Sequence, residues 1–181
     1  MLTYILLGIA VVVLLLVVGL IIVVAMQPAD FRITRKLAMG APAAAIFPHV
    51  NELAKWRAWS PWEKLDPDLK RTYEGPPAGE GAKYAWVGNP QVGEGRMTIT
   101  ESRPSSLVRI KLEFLKPFQA TNSSEFVFAP NGNGTLVTWN MQGRNNFMAK
   151  AFHLLMNMDK LVGKDFEKGL NELKSIVEAK G

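Results

Sequence analysis

Residues 107–141 read LVRIKLEFLKPFQATNSSEFVFAPNGNGTLVTWNM, and the fold is decided there. Val108, Ile110, Leu112 and Phe114 alternate with Arg109, Lys111 and Glu113. A period of two puts the four apolar side chains on one face of a strand and the charged ones on the other. Two further apolar-rich runs, 118–128 and 135–141, flank Asn131-Gly132-Asn133-Gly134. Asn-Gly between such runs is a strong hairpin signal, because a tight turn needs residues that tolerate positive φ. Consecutive strands with one apolar face each predict an antiparallel sheet covering a core on one side.

Working outward, residues 31–39 alternate as well, with Phe31, Ile33, Leu37 and Met39 set against Arg32, Thr34 and Lys36. Gly40-Ala41-Pro42 ends that strand, and Pro42 suits the first turn of a helix. Short helices are expected over 43–50 and 51–56, the second ending before a turn at Trp59-Ser60-Pro61-Trp62. Strands over 69–74, 82–87 and 93–102 are punctuated by Gly75-Pro76-Pro77, Gly88-Asn89-Pro90 and Pro104. Such regular spacing with no intervening helix argues for a strongly curved antiparallel sheet. From Phe147 the period changes. Apolar residues recur at Phe152, Leu155, Met158, Val162, Phe166, Leu170, Leu173 and Val177, predicting one amphipathic helix of about thirty residues. Asn145 or Asn146 would cap it, and Gly163 and Gly169 would be mild breakers inside it.

The other end of the chain has a different character. Residues 2–26 are apolar apart from Thr3, Tyr4 and two glycines, and the first charged residue is Asp30. A helix of that length spans roughly 37 Å, against a hydrocarbon core of about 30 Å. A signal peptide would carry a basic leader and an apolar core of about 7–15 residues. Here no side-chain charge precedes the run and the run is longer, although Val23-Val24-Ala25 offers small residues for cleavage. The expectation is a transmembrane anchor over 1–27, a hinge over 28–30 containing Pro28, and one domain over 31–181. Arg32, Arg35 and Lys36 follow the span directly, which by the positive-inside bias places that domain in the cytoplasm.

The 181 residues include no cysteine, which excludes disulfides, thiolate nucleophiles and Cys-based metal sites. The net charge of +5 lies in the domain, where it favours anionic headgroups. Lysines and arginines are mixed with acids rather than clustered among aromatics, so nucleic acid is not an expected partner. The only histidines, His49 and His153, lack an acid and nucleophile at suggestive spacing. No metal-ligand spacing, phosphate loop or nucleophile elbow is present. Neither cofactor nor metal is predicted, and the reading leans away from catalysis.

Several stretches carry a family likeness. They are Phe31-Arg32-Ile33 through Pro42, Trp56-Arg57-Ala58-Trp59-Ser60-Pro61-Trp62, Val92-Gly93-Glu94-Gly95-Arg96-Met97-Thr98-Ile99, Lys111-Leu112-Glu113-Phe114 and Asn157-Met158-Asp159-Lys160. Over residues 31–178 the chain resembles the polyketide cyclase/dehydrase and lipid transport branch of the START/Bet v 1-like (SRPBCC) superfamily. The resemblance implies an α+β helix-grip fold, a curved antiparallel sheet wrapped around a long C-terminal helix. It also implies a cavity between the two, suited to an apolar ligand.

Candidate lining residues follow. Trp59 and Trp62, with Trp56, either stand at the cavity mouth or bilayer interface or pack as core. Trp86 and Trp139 lie mid-strand as core or lining. Asn122 and Ser124 share a face with Phe126 and Phe128. If that face is concave they need partners, including a ligand; if the sheet twists they meet water. Glu101 shares a face with Met97 and Ile99 and is the best candidate for an acid or base. Met148, Phe152 and Met156, with Met158 and Phe166, are expected on the gripping face of the helix, where flexible thioethers adapt to a ligand. The function expected is non-catalytic binding of a hydrophobic small molecule or lipid beside the bilayer. The alternatives are a structural or regulatory partner of another membrane protein with a closed core, and a cyclase or dehydratase-like enzyme that needs Glu101 inside the cavity.

Overall fold

The computed structural model describes residues 1–179, without the side chains of Leu2, Phe152, His153 and Leu155. The elements run α1 (Leu2–Met26), β1 (Asp30–Met39), α2 (Ala43–Asn51), two 3₁₀ turns (Leu53–Ala58 and Pro61–Lys64), β2 (Lys70–Glu74), β3 (Lys83–Val87), β4 (Glu94–Arg103), β5 (Leu107–Lys116), β6 (Ala120–Asn131), β7 (Gly134–Arg144), α3 (Phe147–Leu155) and α4 (Met158–Glu178). Contacts divide them into two compact units, one of Met1–Phe31 with Arg144–Met158, the other of Arg32–Gly143 with the chain from Asp159 onward.

In the larger unit the seven strands form one sheet in the order β1-β7-β6-β5-β4-β3-β2, antiparallel from β2 through β7. The predicted hairpin is β6–β7, closed by the Asn131–Gly134 pair. Of its two central residues only Gly132 takes a positive φ, +58°, the pattern of a type II′ turn. Ile99, Val108, Ile110, Phe126, Val137 and Trp139 are buried on one face, as strict alternation requires. On that face lies α4. The Phe166 ring stacks on Trp139 with centroids 3.9 Å apart and planes 2° from parallel. Gly169 permits the approach, since a Cβ there would stand 3.1 Å from Trp139 and 3.2 Å from Pro61. Leu170 and Leu173 complete the contact, both fully buried. This is the α+β helix-grip fold.

The C-terminal segment departs from expectation in one respect. It is two helices, interrupted at Met156 and Asn157, rather than one. Asn157 occupies the N-cap position of α4, where a short polar side chain is favoured, and Asp159 follows in the first turn, favourable at the positive end of the helix dipole. Neither glycine breaks α4. At Gly163 the missing side chain makes room for the Arg35 guanidinium, which a Cβ would overlap. Arg35 Nε donates to Glu167 (2.7 Å), and Nη1 and Nη2 donate to the Asp159 carboxylate (3.2 and 3.1 Å). Nη2 also donates to the Asp159 carbonyl (2.8 Å). These bonds staple β1 to the start of α4, so Arg35 is engaged inside the domain rather than free for headgroups.

In the smaller unit α3 packs beside α1. Lys150 Nζ donates to the Ala25 carbonyl (3.1 Å), and the Asn145 amide donates to the Ala29 carbonyl (2.7 Å). Asn146 is the cap of α3, its Oδ1 accepting the Ala149 amide at 2.9 Å. Residues Thr3–Met26 are long and apolar enough to cross a membrane, with a mean hydropathy of 3.5. Nearly every side chain along α1 is exposed, Val24 being the buried exception.

Candidate functional site

Between the concave face of the sheet and the first half of α4 lies a cavity of about 370 Å³. That falls within the range of about 300–1,000 Å³ typical of small-molecule sites. Its walls come from the 3₁₀ turns (Trp56, Trp62), β3 (Tyr84, Trp86), β4 and β5 (Met97, Leu112, Phe114), β6 and β7 (Ser124, Trp139, Met141) and α4 (Leu161, Val162, Phe166). Period-two alternation on each strand delivers these side chains to one face. Gly95 makes the wall possible at Trp86. A side chain there would collide with the indole ring and stand 2.6 Å from the Glu113 carbonyl oxygen.

The rings of the wall are mutually braced. Trp139 packs against Phe126 at 4.7 Å, and Trp62 meets both Trp139 (5.9 Å) and Phe166 (6.2 Å) edge-on. Such offset and edge-to-face pairs add to the stability that burial alone provides. Leu65, Gln91 and Leu161 are the more exposed liners, so the cavity opens at that rim. Asp66 fixes the rim. It is buried, accepting the Asp68 amide on Oδ1 (2.9 Å) and the Asn89 amide on Oδ2 (2.6 Å). Asn89 Nδ2 donates to the Leu65 carbonyl (3.1 Å), so the loops before β2 and after β3 are tied together.

Polar groups in the wall are few. Ser124 is buried, and its Oγ accepts the Trp139 indole N–H at 2.9 Å. Glu63 accepts the Tyr84 hydroxyl at 2.6 Å and Arg71 Nε at 2.7 Å, one on each carboxylate oxygen. Burial, with the Glu63 carboxylate beside it, raises the Tyr84 phenol well above its ordinary pKa, so Tyr84 stays protonated as a donor. Asp165 lines the cavity from α4. Burial pushes its carboxyl pKa up, against the opposing pull of Lys168.

Of the residues expected at the site, Trp62, Trp86, Ser124 and Trp139 come together in the wall. Trp59 stands behind it as core, 0 % exposed, with its indole N–H donated to the His49 carbonyl at 2.9 Å. Trp56 likewise donates to the Val50 carbonyl (2.9 Å), so those two rings are interior and do not meet a bilayer. Asn122 is half-buried near the start of β6, outside the lining. Met148 and Met156 are exposed and belong to the smaller unit, on and just after α3, because the break before α4 removes them from the gripping helix. The Phe152 side chain lies outside the described residues, as does that of His153.

Glu101 is moved by a bulge. Ile99 pairs with Ile110, but Glu101 pairs with Arg109. The extra residue, Thr100, inverts the alternation, so Glu101 faces away from Ile99. It ion-pairs with Arg103 (2.5 Å) and with Arg109 on the outer face, where Arg109 also meets Glu125 (2.8 Å). The candidate acid of the enzyme reading is therefore outside the cavity. Glu63, Tyr84 and Asp165 are lining residues that the sequence reading missed. Tyr84 was available in principle, being two positions from Trp86 on the same strand. Glu63 stands between Trp62 and Lys64, and Asp165 between Lys164 and Phe166, and neither setting marks a side chain that lines an apolar space.

Residues 29–178 match the profile of a family described as polyketide cyclase/dehydrase and lipid transport. No curated protein matches the chain. Among solved structures it is similar to protein MLL2253 from Mesorhizobium loti, with a TM-score of 0.62 and 8% identity over 83% of this chain and 99% of the other. It is also similar to protein CV1439 from Chromobacterium violaceum, with a TM-score of 0.58 and 14% identity over 84% and 99%. Protein Ms6760 from Mycobacterium smegmatis gives 0.58 and 17% over 83% and 92%. At these identities the likeness is one of fold.

Proposed function

Because the chain belongs to the polyketide cyclase/dehydrase and lipid transport family, we propose that it binds a hydrophobic small molecule or lipid, non-covalently, in the cavity beneath α4. The observation that carries this reading is an open space of about 370 Å³ walled almost entirely by aromatic and aliphatic side chains. Water in such a space gains few hydrogen bonds, and an apolar ligand displacing it gains about 25 cal/mol for each Å² it buries. The structural-partner alternative called for a filled interior, and the cyclase alternative called for Glu101 in the cavity. Titration of the full chain in phosphatidylcholine nanodiscs with phenylbutanol, a neutral apolar probe, tests the reading. Saturable binding that Leu112→Trp abolishes by filling the space supports it. Non-saturable uptake equal to that of empty discs would refute it.

We infer further that α1 anchors the domain to a membrane. Its exposed apolar surface supports this, as does its neighbour α3, which presents Phe147, Met148 and Leu154 to the outside. An amphipathic helix beside a span has its natural place at the headgroup boundary. The basic residues after α1 favour a cytoplasmic domain. A cysteine introduced at exposed Glu80 should react with a membrane-impermeant maleimide only after cells are permeabilised; labelling of intact cells would reverse the orientation.

A further inference from the structure

The charged groups of the cavity are of one sign. Glu63 and Asp165 line it, and no lysine, arginine or histidine is among the described lining residues. The two acids differ in one decisive respect. Both oxygens of Glu63 are occupied, by Arg71 and Tyr84. Asp165, half-buried and next to Phe166, has no hydrogen-bond or ion-pair partner among the described residues. The opposing charge that acts on it is Lys168, three positions along α4, and a carboxylate partly withdrawn from water with no hydrogen-bond donor is an unfavourable arrangement for the protein alone. It becomes favourable when something in the cavity supplies the positive charge.

The walls reinforce the same preference. Trp56, Trp62, Trp86 and Trp139 line the space with Phe114 and Phe166. Phe126 and Phe166 stack on Trp139, which leaves Trp56, Trp62 and Trp86 as the indoles whose ring quadrupoles would attract a cation, most strongly where water is excluded. A carboxylate or phosphate entering the cavity would meet aromatic rings and the Asp165 carboxylate, the charge of Glu63 being offset by Arg71.

We propose that the cavity selects an apolar ligand bearing a positive charge, a protonated amine or quaternary ammonium, with Asp165 as the counter-charge and the aromatic wall around it. This rests on the binding reading above and specifies the class of ligand. The test uses three probes of one apolar body, phenylbutylamine, phenylbutanol and phenylbutyrate, titrated calorimetrically into the full chain in phosphatidylcholine nanodiscs, with empty discs subtracted. The amine should bind about tenfold or more tighter than the carboxylate, with the alcohol between them. Asp165→Asn should weaken the amine about fivefold and leave the alcohol unchanged, with a melting temperature no lower than that of the parent chain. Equal affinities across the three probes, tightest binding by the carboxylate, or an amine affinity untouched by Asp165→Asn would overturn the proposal. If the alcohol and the amine both fail to bind above the empty-disc background, the binding reading itself falls.

Discussion

A glycine and an arginine hold the start of the gripping helix. Gly163 has no side chain, so the Arg35 guanidinium can lie across α4 and reach the carboxylates of Asp159 and Glu167 together with a helix carbonyl. A single methyl group at that position occupies the guanidinium's place. Gly163→Ala should therefore destabilise the domain by about 1–3 kcal/mol, the usual cost of stranding hydrogen-bonded polar groups, although alanine is the better helix former. Thermal melting should show a fall of several degrees. A gain in stability, as propensity alone predicts, would mean that the staple contributes nothing. At the same scale the sequence was least informative. Arg35 reads as one of three basic residues after a span, and nothing local reveals that its partners lie more than a hundred positions away. Asp165 sits in a run of alternating charges, and only the packing of α4 shows that it faces inward.

Strands and helices were more legible, because their periods are properties of neighbouring residues. The alternation over 107–114 and the Asn-Gly turn placed β5, β6 and β7 and their common apolar face. The failures came where a period is interrupted without a change of composition. Thr100 inserts one residue into β4 and turns Glu101 outward, yet residues 97–101 alternate smoothly when read as text. Asn157 divides the final helix although the apolar steps pass across it unbroken. The outer face that receives Glu101 is a ladder of ion pairs, and Glu113 marks its acid limit. Arg96 Nε and Nη2 donate to Glu113 (2.8 and 3.0 Å) and Lys111 lies 2.9 Å away. The Arg96 bonds, then Lys111, lower its pKa from an ordinary 4.5 to about 2. A carboxylate pKa lowered by folding stabilises the native state above the unfolded value, and that contribution disappears as pH falls through the folded value. Glu113→Gln should flatten the dependence of melting temperature on pH between about 4.5 and 2. An unchanged slope in that window would show the ladder to be inert, as many exposed pairs are.

At the scale of the whole molecule, an apolar helix and a domain with an open apolar interior belong to one chain of 181 residues. Either part alone is ordinary. A spanning helix reports location, and an aromatic-lined cavity reports only that something apolar fits. On the proposed reading, α1 would keep a binding domain beside the bilayer, where hydrophobic ligands partition. The fold, the family and the presence of an interior space were legible in the sequence. The composition of that space was legible only in part, because it depends on which residues of seven strands and one helix meet. The most direct test compares what the cavity carries. The full chain and its Leu112→Trp variant would be purified side by side from membranes, their small-molecule content extracted and compared by mass spectrometry. The account predicts an apolar compound retained in fixed proportion by the parent chain and missing from the variant, above an identical background of annular lipid. Extracts of the same composition and amount from the two proteins would contradict it.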